Sequence, residues 1–369
     1  MKIVLVTGAK GFIGRNLILS LGRRPDIKMV SVDIGSPETE LIKGCDTCDV
    51  VFHLAGINRP LTEQEYETGN VGSLAAVLSG LEKRLRRPHI VLSSSAQALH
   101  DNPYGRSKRK AEELLVEYCR RTGSSASVFR LPGVFGRWCR PNYNSVVATF
   151  CHNIARGIPI QISDSSREIE LVYVDDVVRV FIDLLTTNHE GVAFRDVAPV
   201  FKVKLGDLAD RLLEYRKSRE SLQVADLSDP FLRRLFGTYL SYLPSDGFAY
   251  ELECKADDRG ALAEILKAGG HGQFFVSRTK PGIVRGNHYH DTKVEKFLVL
   301  EGEALIKFRH LATNEIAEYP VSGHDLRVVD IPPGWTHSMQ NVGNSEMIVL
   351  FWASEVFDAD RPDTYPAEV

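Results

Sequence analysis

Apolar and polar positions follow two different rhythms along this chain. In the first, Lys2-Ile3-Val4-Leu5-Val6, Val50-Val51-Phe52-His53-Leu54 and His89-Ile90-Val91-Leu92 are nearly unbroken apolar runs, with a shorter one at Met29 to Val32. Such runs predict strands buried on both faces, as in a parallel sheet. Between and after them lie segments with helical spacing: Asn16 to Gly22, a stretch from Asn70 with Leu74, Val77, Leu78 and Leu81 on one face, Tyr104 to Arg121, and Ser145 to Arg156. Alternating strands and helices predict a doubly wound α/β parallel sheet. After Tyr242-Leu243-Pro244-Ser245-Asp246-Gly247, which reads as a linker, the rhythm changes. From Gln273 onward, short strand-like runs are separated by turn residues: Phe274 to Val276, Lys296 to Leu300, Ala304 to Phe308, Arg327 to Ile331 and Met347 to Trp352. That spacing predicts an all-β sandwich or barrel.

A length of 369 residues is long for one domain, and the change of rhythm sets the expected division: residues 1–243 for the α/β part and 244–369 for the β part. Hydrophobic content of 43% and charge of 25% are ordinary for a globular protein, and a net charge of −3 gives no reason to expect nucleic acid or an anionic membrane as a partner. No apolar run reaches the length of a membrane span, and Met1-Lys2 enters a strand instead of a signal peptide. The six cysteines are scattered, which suggests reduced thiols and a cytoplasmic location. Cys45 and Cys48 form one C-x-x-C, open to a metal or redox pair but with no second pair and no helix start beside it.

The first strand runs at once into Thr7-Gly8-Ala9-Lys10-Gly11-Phe12-Ile13-Gly14 and then into a helix. Glycines at these positions allow a tight turn, close approach of backbone to a pyrophosphate and close helix–strand packing, with the phosphate on the helix N-terminus. The second strand ends in Asp33, where an acidic residue usually takes a ribose 2′-hydroxyl and argues for NAD. Lys10 and Arg15, in and beside the glycine turn, suit a 2′-phosphate instead, so the residues leave NAD and NADP both open. The third strand ends in Ala55-Gly56, a small-residue turn that lets a cofactor lie close, with His53 read as a packed strand histidine. The fourth leads into Ser93-Ser94-Ser95 and, nine residues after Ser95, Tyr104. Tyr104 and Lys108 are four apart and share one helix face, so the ammonium is expected to lower the phenol from its usual value of about 10. With a serine hydroxyl to hold a carbonyl, this is a device for moving a proton while a cofactor moves a hydride.

Thr7-Gly-x-x-Gly-Phe-Ile-Gly14, His53-Leu-Ala-Gly56, Asn70, the serine run and Tyr104-x-x-x-Lys108 together resemble the extended short-chain dehydrogenase/reductase family of nucleotide-sugar enzymes. The resemblance implies a Rossmann-type doubly wound sheet. Its nicotinamide dinucleotide would be held by Gly8, Lys10, Gly11, Phe12, Ile13, Gly14, Arg15, Asp33, Leu54, Ala55, Gly56, Asn70, Tyr104 and Lys108. It implies Tyr104 as proton donor, Lys108 on the nicotinamide ribose, and Ser95 as the hydroxyl on the substrate oxygen, with Ser93 and Ser94 as alternatives and Ser94 also a substrate contact. The nine-residue interval from Ser95 to Tyr104 is shorter than this family's usual gap. Within Arg130 to Ser145, the cations Arg137 and Arg140 and the amides Asn142 and Asn144 suit a nucleotide diphosphate and sugar hydroxyls. Asp175 reads as a cap on the helix that follows.

Six of the eleven histidines lie between residues 271 and 337. His288 and His290 would point to one face of a strand, Glu295 opens the next strand, and His337 follows the turn Pro332-x-Gly334. Three imidazoles and a carboxylate suit zinc, nickel, iron or manganese. The pattern Gly282-x5-His288-x-His290-x4-Glu295-x6-Gly302 resembles the cupin superfamily over roughly residues 246 to 369, which implies an all-β cupin barrel with those four ligands; Leu326 stands where a glycine is expected.

The order of the two modules, the short serine–tyrosine loop, Arg137 to Ser145, Asp258-Arg259-Gly260, Lys280-Pro-Gly282 and Pro362 to Val369 resemble the CapF-type capsular polysaccharide enzymes. That resemblance implies a homodimeric, zinc-binding, bifunctional enzyme. Its cupin part epimerises carbon 3 of a UDP-2-acetamido-2,6-dideoxy-4-hexulose, and its reductase part reduces the 4-ketone with NADPH on the route to UDP-N-acetyl-L-fucosamine. His310, Lys307 and Tyr289 are the candidate proton carriers of the epimerase. Two other expectations stay open: an NAD-linked nucleotide-sugar epimerase or dehydratase whose cupin only binds sugar, and a ligand-sensing regulator.

Overall fold

The computed structural model describes residues 1–83, 87–187, 189–252, 254–257, 260–263, 272–355 and 360–369. Asp258, Arg259 and His271 lie outside the described residues. The chain forms two compact units: residues 1–135, 142–145 and 168–203 make the first, and residues 136–141, 146–167 and 204–369 the second.

The first unit is built on a six-stranded parallel sheet. Its strands lie in the spatial order Ile27–Val32, Lys2–Thr7, Val50–His53, His89–Ser95, Ala126–Leu131 and Val192–Arg195. The order reverses between Lys2–Thr7 and Val50–His53, so the crevice at their carboxyl ends opens beside Gly8 and Leu54. Val4, Leu5, Val6, Val51 and Phe52 are fully enclosed, as unbroken apolar runs require when helices cover both faces. The helices are Phe12–Gly22, Glu38–Thr47, Ser73–Lys83, Pro103–Thr122 and Val174–Asp183. Leu74, Val77, Leu78 and Leu81 pack with Leu5, Val51, Ile90 and Leu115 in one core, the face that their spacing indicated. Cys45 and Cys48 lie in the same core and, among the described residues, join no cluster that could hold a metal. The helix expected from Asn70 begins earlier, as a turn at Gln64–Tyr66 and a π-helical segment at Glu67–Gly72. Asp175 sits inside the first turn of Val174–Asp183, whose N-cap is Tyr173, so the capping role expected for it does not hold.

In the second unit, helices Val146–Ala155, Leu205–Ser221 and Pro230–Leu240 accompany two five-stranded antiparallel sheets. One runs Ala249–Glu251, Arg327–Ile331, Glu295–Glu301, Met347–Ala353, Gln273–Thr279; the other Ile316–Ser322, Glu303–His310, Trp335–Asn341, Val284–Tyr289, Tyr365–Pro366. Inward positions alternate with outward ones, and Ile306, Phe308, Phe297, Met339 and Val349 fill the interior. The strands Val284–Tyr289, Ile316–Ser322 and Trp335–Asn341 complete the five expected runs into a double-sheet barrel. The stretch expected as a linker is packed instead. Tyr242, Leu243 and Phe248 are buried, and the Tyr242 hydroxyl donates to the Cys139 carbonyl at 2.5 Å. No helix among the described residues is long and apolar enough to cross a membrane.

Candidate functional site

The glycine turn is as tight as its composition suggests. Gly8 has φ +69°, and a Cβ there would lie 2.6 Å from Ala55 N and 2.7 Å from the Leu54 carbonyl carbon. A Cβ on Gly14 would meet the Gly8 carbonyl oxygen at 2.2 Å, so only glycine lets the helix Phe12–Gly22 start against the strand end. Phe12 and Ile13 open that helix, and Lys10 and Arg15 are exposed beside the turn. Asp33 at the end of the second strand accepts the Lys10 amide at 2.5 Å and the Ile34 amide at 2.8 Å, which ties it to the glycine turn. Behind the turn, His53 is buried between the Thr7 hydroxyl at 2.8 Å and the Ser73 hydroxyl at 3.3 Å, and burial followed by the nearby Lys108 pushes it down to about 3. It is a packed strand residue, as read. Opposite lies Gly56, where a Cβ would meet Asn70 Oδ1 at 2.7 Å and Lys108 Nζ at 3.2 Å. A pocket floor of small residues, exposed cations and an anchored carboxylate fits a nicotinamide dinucleotide.

The serine run resolves by alternation. Ser94 alternates away from Ser93 and Ser95, and its hydroxyl donates to Glu112 Oε1, on the helix that also carries Tyr104, at 2.5 Å, while Arg130 holds the same carboxylate at 2.6 Å. Expected as a substrate contact, Ser94 is instead part of a buried structural cluster. Ser95 stands beside the Tyr104 phenol and its hydroxyl accepts the Gln97 amide at 3.2 Å. The Ser93 carbonyl accepts from Lys108 Nζ at 3.1 Å. The short interval to Tyr104 is spanned by one 3-10 turn, Ala96–Leu99, after which Asn102 caps the helix Pro103–Thr122 by accepting the Gly105 amide at 2.8 Å. Asn70 donates to Ser107 at 2.9 Å and brackets Ile57 with both of its amide atoms, tying the π-helical segment to the helix of Tyr104. Tyr66 stacks 5.7 Å from the Tyr104 ring, and Tyr143 also acts on it. Neither had a sequence signal, because both come from loops far along the chain. Lys108 Nζ stands 6.0 Å from the Tyr104 ring centre. Burial pushes the Tyr104 phenol up, only partly offset by Ser95, so the net lowering expected from Lys108 does not occur. Burial also lowers Lys108 itself, to about 8, against the opposing pull of Glu112.

Arg137 does not present its charge to solvent. It is 1% exposed, donates to the Asp291 carbonyl at 3.1 Å and lies 3.3 Å from its carboxylate. That pairing corrects its expected place on a nucleotide diphosphate: the guanidinium is already used by the turn before Glu295. Arg140, Asn142 and Asn144 are exposed on the same segment.

The four expected ligands converge. One ligand atom each from His288, His290, Glu295 and His337 lies within 4.8 Å of the others, drawn from both sheets of the barrel, and His288 stands opposite His337 in register. His290 Nε2 is 3.2 Å and His337 Nε2 3.7 Å from Glu295 Oε2. Despite that proximity, His290 Nε2 and both His337 nitrogens are buried without an aligned hydrogen bond. Burial lowers His288 and takes His337 well below its usual value; Glu295, raised by burial, ends lowered because His290 and Lys293 prevail. Three imidazoles and a carboxylate converging in a buried space fit a divalent metal ion.

Alternation also separates the three candidate proton carriers. Lys307 turns outward to Glu318 at 2.9 Å, and Tyr289 packs against Tyr365 on the face opposite His288 and His290. His310 shares the inward face with Phe308, which pairs with His337, and stacks edge-on to Trp335 at 4.8 Å. Its Nε2 lies 3.1 Å from Trp138 Nε1, and its Nδ1 3.1 Å from the Ala312 and Thr313 amides.

A parallel sheet with a glycine turn at its switch point, a Ser95–Tyr104–Lys108 group beside it and a β barrel that gathers three histidines and a glutamate defines a nicotinamide-dependent short-chain dehydrogenase/reductase with an appended cupin. Residues 4–198 match the NAD dependent epimerase/dehydratase family and residues 255–365 the polysaccharide biosynthesis C-terminal domain. Over 366 residues, 99% of this chain and 98% of the relative, it is 45% identical to a Pseudomonas aeruginosa protein called UDP-2-acetamido-2,6-beta-L-arabino-hexul-4-ose reductase. It is similar, at 46% identity and a TM-score of 0.68 over all of both chains, to the crystal structure of the capsular polysaccharide assembling protein CapF from Staphylococcus aureus. A Bacillus cereus UDP-glucuronic acid 4-epimerase solved with UDP-glucuronic acid and NAD shares the fold, at 21% identity and a TM-score of 0.53, over 58% of this chain and 82% of that one. The chain thus belongs to the NAD dependent epimerase/dehydratase family, in the form that carries the polysaccharide biosynthesis C-terminal domain.

Proposed function

We propose that this chain is a bifunctional nucleotide-sugar enzyme of capsular or O-antigen polysaccharide synthesis. Its barrel, residues 244–369, inverts carbon 3 of a UDP-2-acetamido-2,6-dideoxy-4-hexulose. Its α/β part, residues 1–243, reduces the 4-ketone to UDP-2-acetamido-2,6-dideoxy-L-talose. The observation that carries the reading is the buried Tyr104 phenol set beside Ser95 and Lys108 in a chain matching a named hexulose reductase from end to end.

For reduction, the ketone oxygen sits against Ser95 and Tyr104, and the phenol gives its proton to that oxygen. A phenol raised by burial holds this proton until charge develops on the substrate. Bound nicotinamide supplies the hydride. Lys108, anchored on the Ser93 carbonyl, fixes the cofactor ribose and adds positive charge near the developing alkoxide. For epimerisation, the 4-ketone acidifies the hydrogen on carbon 3, so one group removes it and another returns a proton from the opposite face. His310, on the inward face of the barrel, is the proton carrier of choice among the three candidates. A divalent ion, zinc by the family resemblance, would be held by His288, His290, Glu295 and His337 and would supply fixed positive charge to the barrel. NADPH is the expected reductant, with Lys10 and Arg15 on its 2′-phosphate. The active form is a homodimer in the cytoplasm.

The test is product analysis by NMR in D2O with that hexulose, with and without NADPH. Deuterium should enter carbon 3 without NADPH and in Tyr104→Phe, while reduction needs both NADPH and Tyr104. An absence of exchange at carbon 3 would remove the epimerase from the barrel. A second reading, an NAD-linked epimerase or dehydratase with a sugar-binding barrel, rests on Asp33, whose carboxylate repels a 2′-phosphate. NAD retained through purification, with no net reduction of the ketone, would favour it.

A further inference from the structure

One residue near the metal ligands contributes no ligand atom, yet it grips the turn that joins two of them. The turn 291–294 lies between His290 and Glu295. Asp363, from the C-terminal segment, reaches it with one carboxylate: Oδ1 accepts the Asp291 amide at 3.0 Å. Oδ2 accepts the Thr292 amide at 3.0 Å, the Thr292 hydroxyl at 2.9 Å and the Lys293 amide at 2.7 Å. The Asp363 backbone carbonyl lies 2.6 Å from His290 Nδ1. A carbonyl only accepts, so Nδ1 carries a proton, and Nε2, the nitrogen facing Glu295, is the one left to bind a metal. Asp363 holds φ at +39°, a left-handed conformation costly for a non-glycine residue, and so brings carbonyl and carboxylate onto the same turn. The rest of the segment is anchored around it. Lys293 Nζ donates to the Pro362 carbonyl at 3.0 Å and to the Thr364 hydroxyl at 2.9 Å. Tyr365 and Pro366 pair with Tyr289 and His288, and the Ala367 amide donates to the Asn287 carbonyl at 2.9 Å.

We propose that Asp363 is the positioning residue of the metal centre, and that docking of residues 360–369 and binding of a divalent ion favour one another. The proposal rests on reading His288, His290, Glu295 and His337 as metal ligands. A carboxylate that collects four donors holds the turn, and with it the separation of His290 and Glu295; the carbonyl sets which imidazole nitrogen is offered. Because the same contacts serve tail and ligands, the coupling is reciprocal: docking tightens metal binding by the same factor as the metal tightens docking.

The experiment uses the full chain, stripped with a chelator and titrated with zinc against a chromophoric competitor. Wild type, Asp363→Ala, Asp363→Asn and His337→Ala are compared, with amide exchange of residues 360–369 followed with and without zinc. Wild type should bind zinc and His337→Ala should lose it. Asp363→Ala should bind about 10- to 100-fold more weakly, and Asp363→Asn should also weaken, since its NH2 group faces amide donors. Zinc should slow exchange at residues 360–369 in wild type. Folded Asp363→Ala with wild-type affinity, or tail exchange indifferent to zinc, overturns the proposal. Zinc binding by His337→Ala equal to wild type overturns the ligand reading itself. If Asp363→Ala does not fold, Asp363→Asn and the wild-type exchange decide.

Discussion

At Lys108 two opposing effects set the charge. Burial lowers the ammonium to about 8, and the Glu112 carboxylate one helical turn on resists. Reduction that needs the charged form should decline as pH rises through about 8. Glu112→Gln removes the opposing pull, so that declining limb should move to lower pH in the profile of kcat/KM; a limb that stays put would show that Lys108 does not govern it. For stability the sign is separate: with a folded value below 10.5, the unfolded chain binds the proton more tightly, so stability rises between about pH 8 and 10.5. His53 acts at the other end. Its value of about 3 lies below the usual 6.5, so its contribution is complete above 6.5 and is lost as pH falls toward 3. His53→Gln should flatten the acid limb of the stability curve, measured by denaturant midpoints. Tyr104→Phe should slow ketone reduction by about 10²- to 10⁴-fold, the usual worth of a positioned proton donor, with carbon 3 exchange intact.

Among elements, the helix Pro103–Thr122 is placed by its first turn. A Cβ on Gly105 would lie 2.2 Å from the Gln97 carbonyl oxygen and 2.6 Å from that of His100. The 3-10 turn Ala96–Leu99 can therefore bridge Ser95 to Tyr104 in nine residues only because Gly105 lets helix and turn touch. Gly105→Ala should pull Tyr104 from Ser95 and abolish reduction, leaving carbon 3 exchange; wild-type turnover would refute this account of the short loop. The glycine turn makes a sharper demand. Gly8→Ala meets backbone at 2.6 Å with φ at +69°, and nicotinamide binding, read by fluorescence titration, should be lost.

For the molecule as a whole, two compact units imply two cooperative transitions. Among the described residues the candidate metal ligands all belong to the second, so chelation should lower the melting of that unit and leave the first unmoved, seen by calorimetry. Free metal at 100 times its Kd is worth about 2.7 kcal/mol to the unit that binds it.

Periodicity alone determined the buried parallel strands, the helix face of Leu74 to Leu81 and the switch from α/β to β texture, because burial of an element leaves its period in its own residues. The glycine turn, Tyr104 with Lys108, and the four ligands were legible for the same reason: each is a local spacing, or two joined by one metal's demand. Tertiary structure decided what depends on partners distant in the chain. It turned Ser94 to Glu112 and Arg130, took Arg137 into Asp291, and raised Tyr104 where a lysine one turn away predicted the reverse. It set Asp363 on the turn between His290 and Glu295 and put His310, not Lys307, on the inner wall. Desolvation and long-range hydrogen bonding belong to the folded packing, and no run of residues carries them.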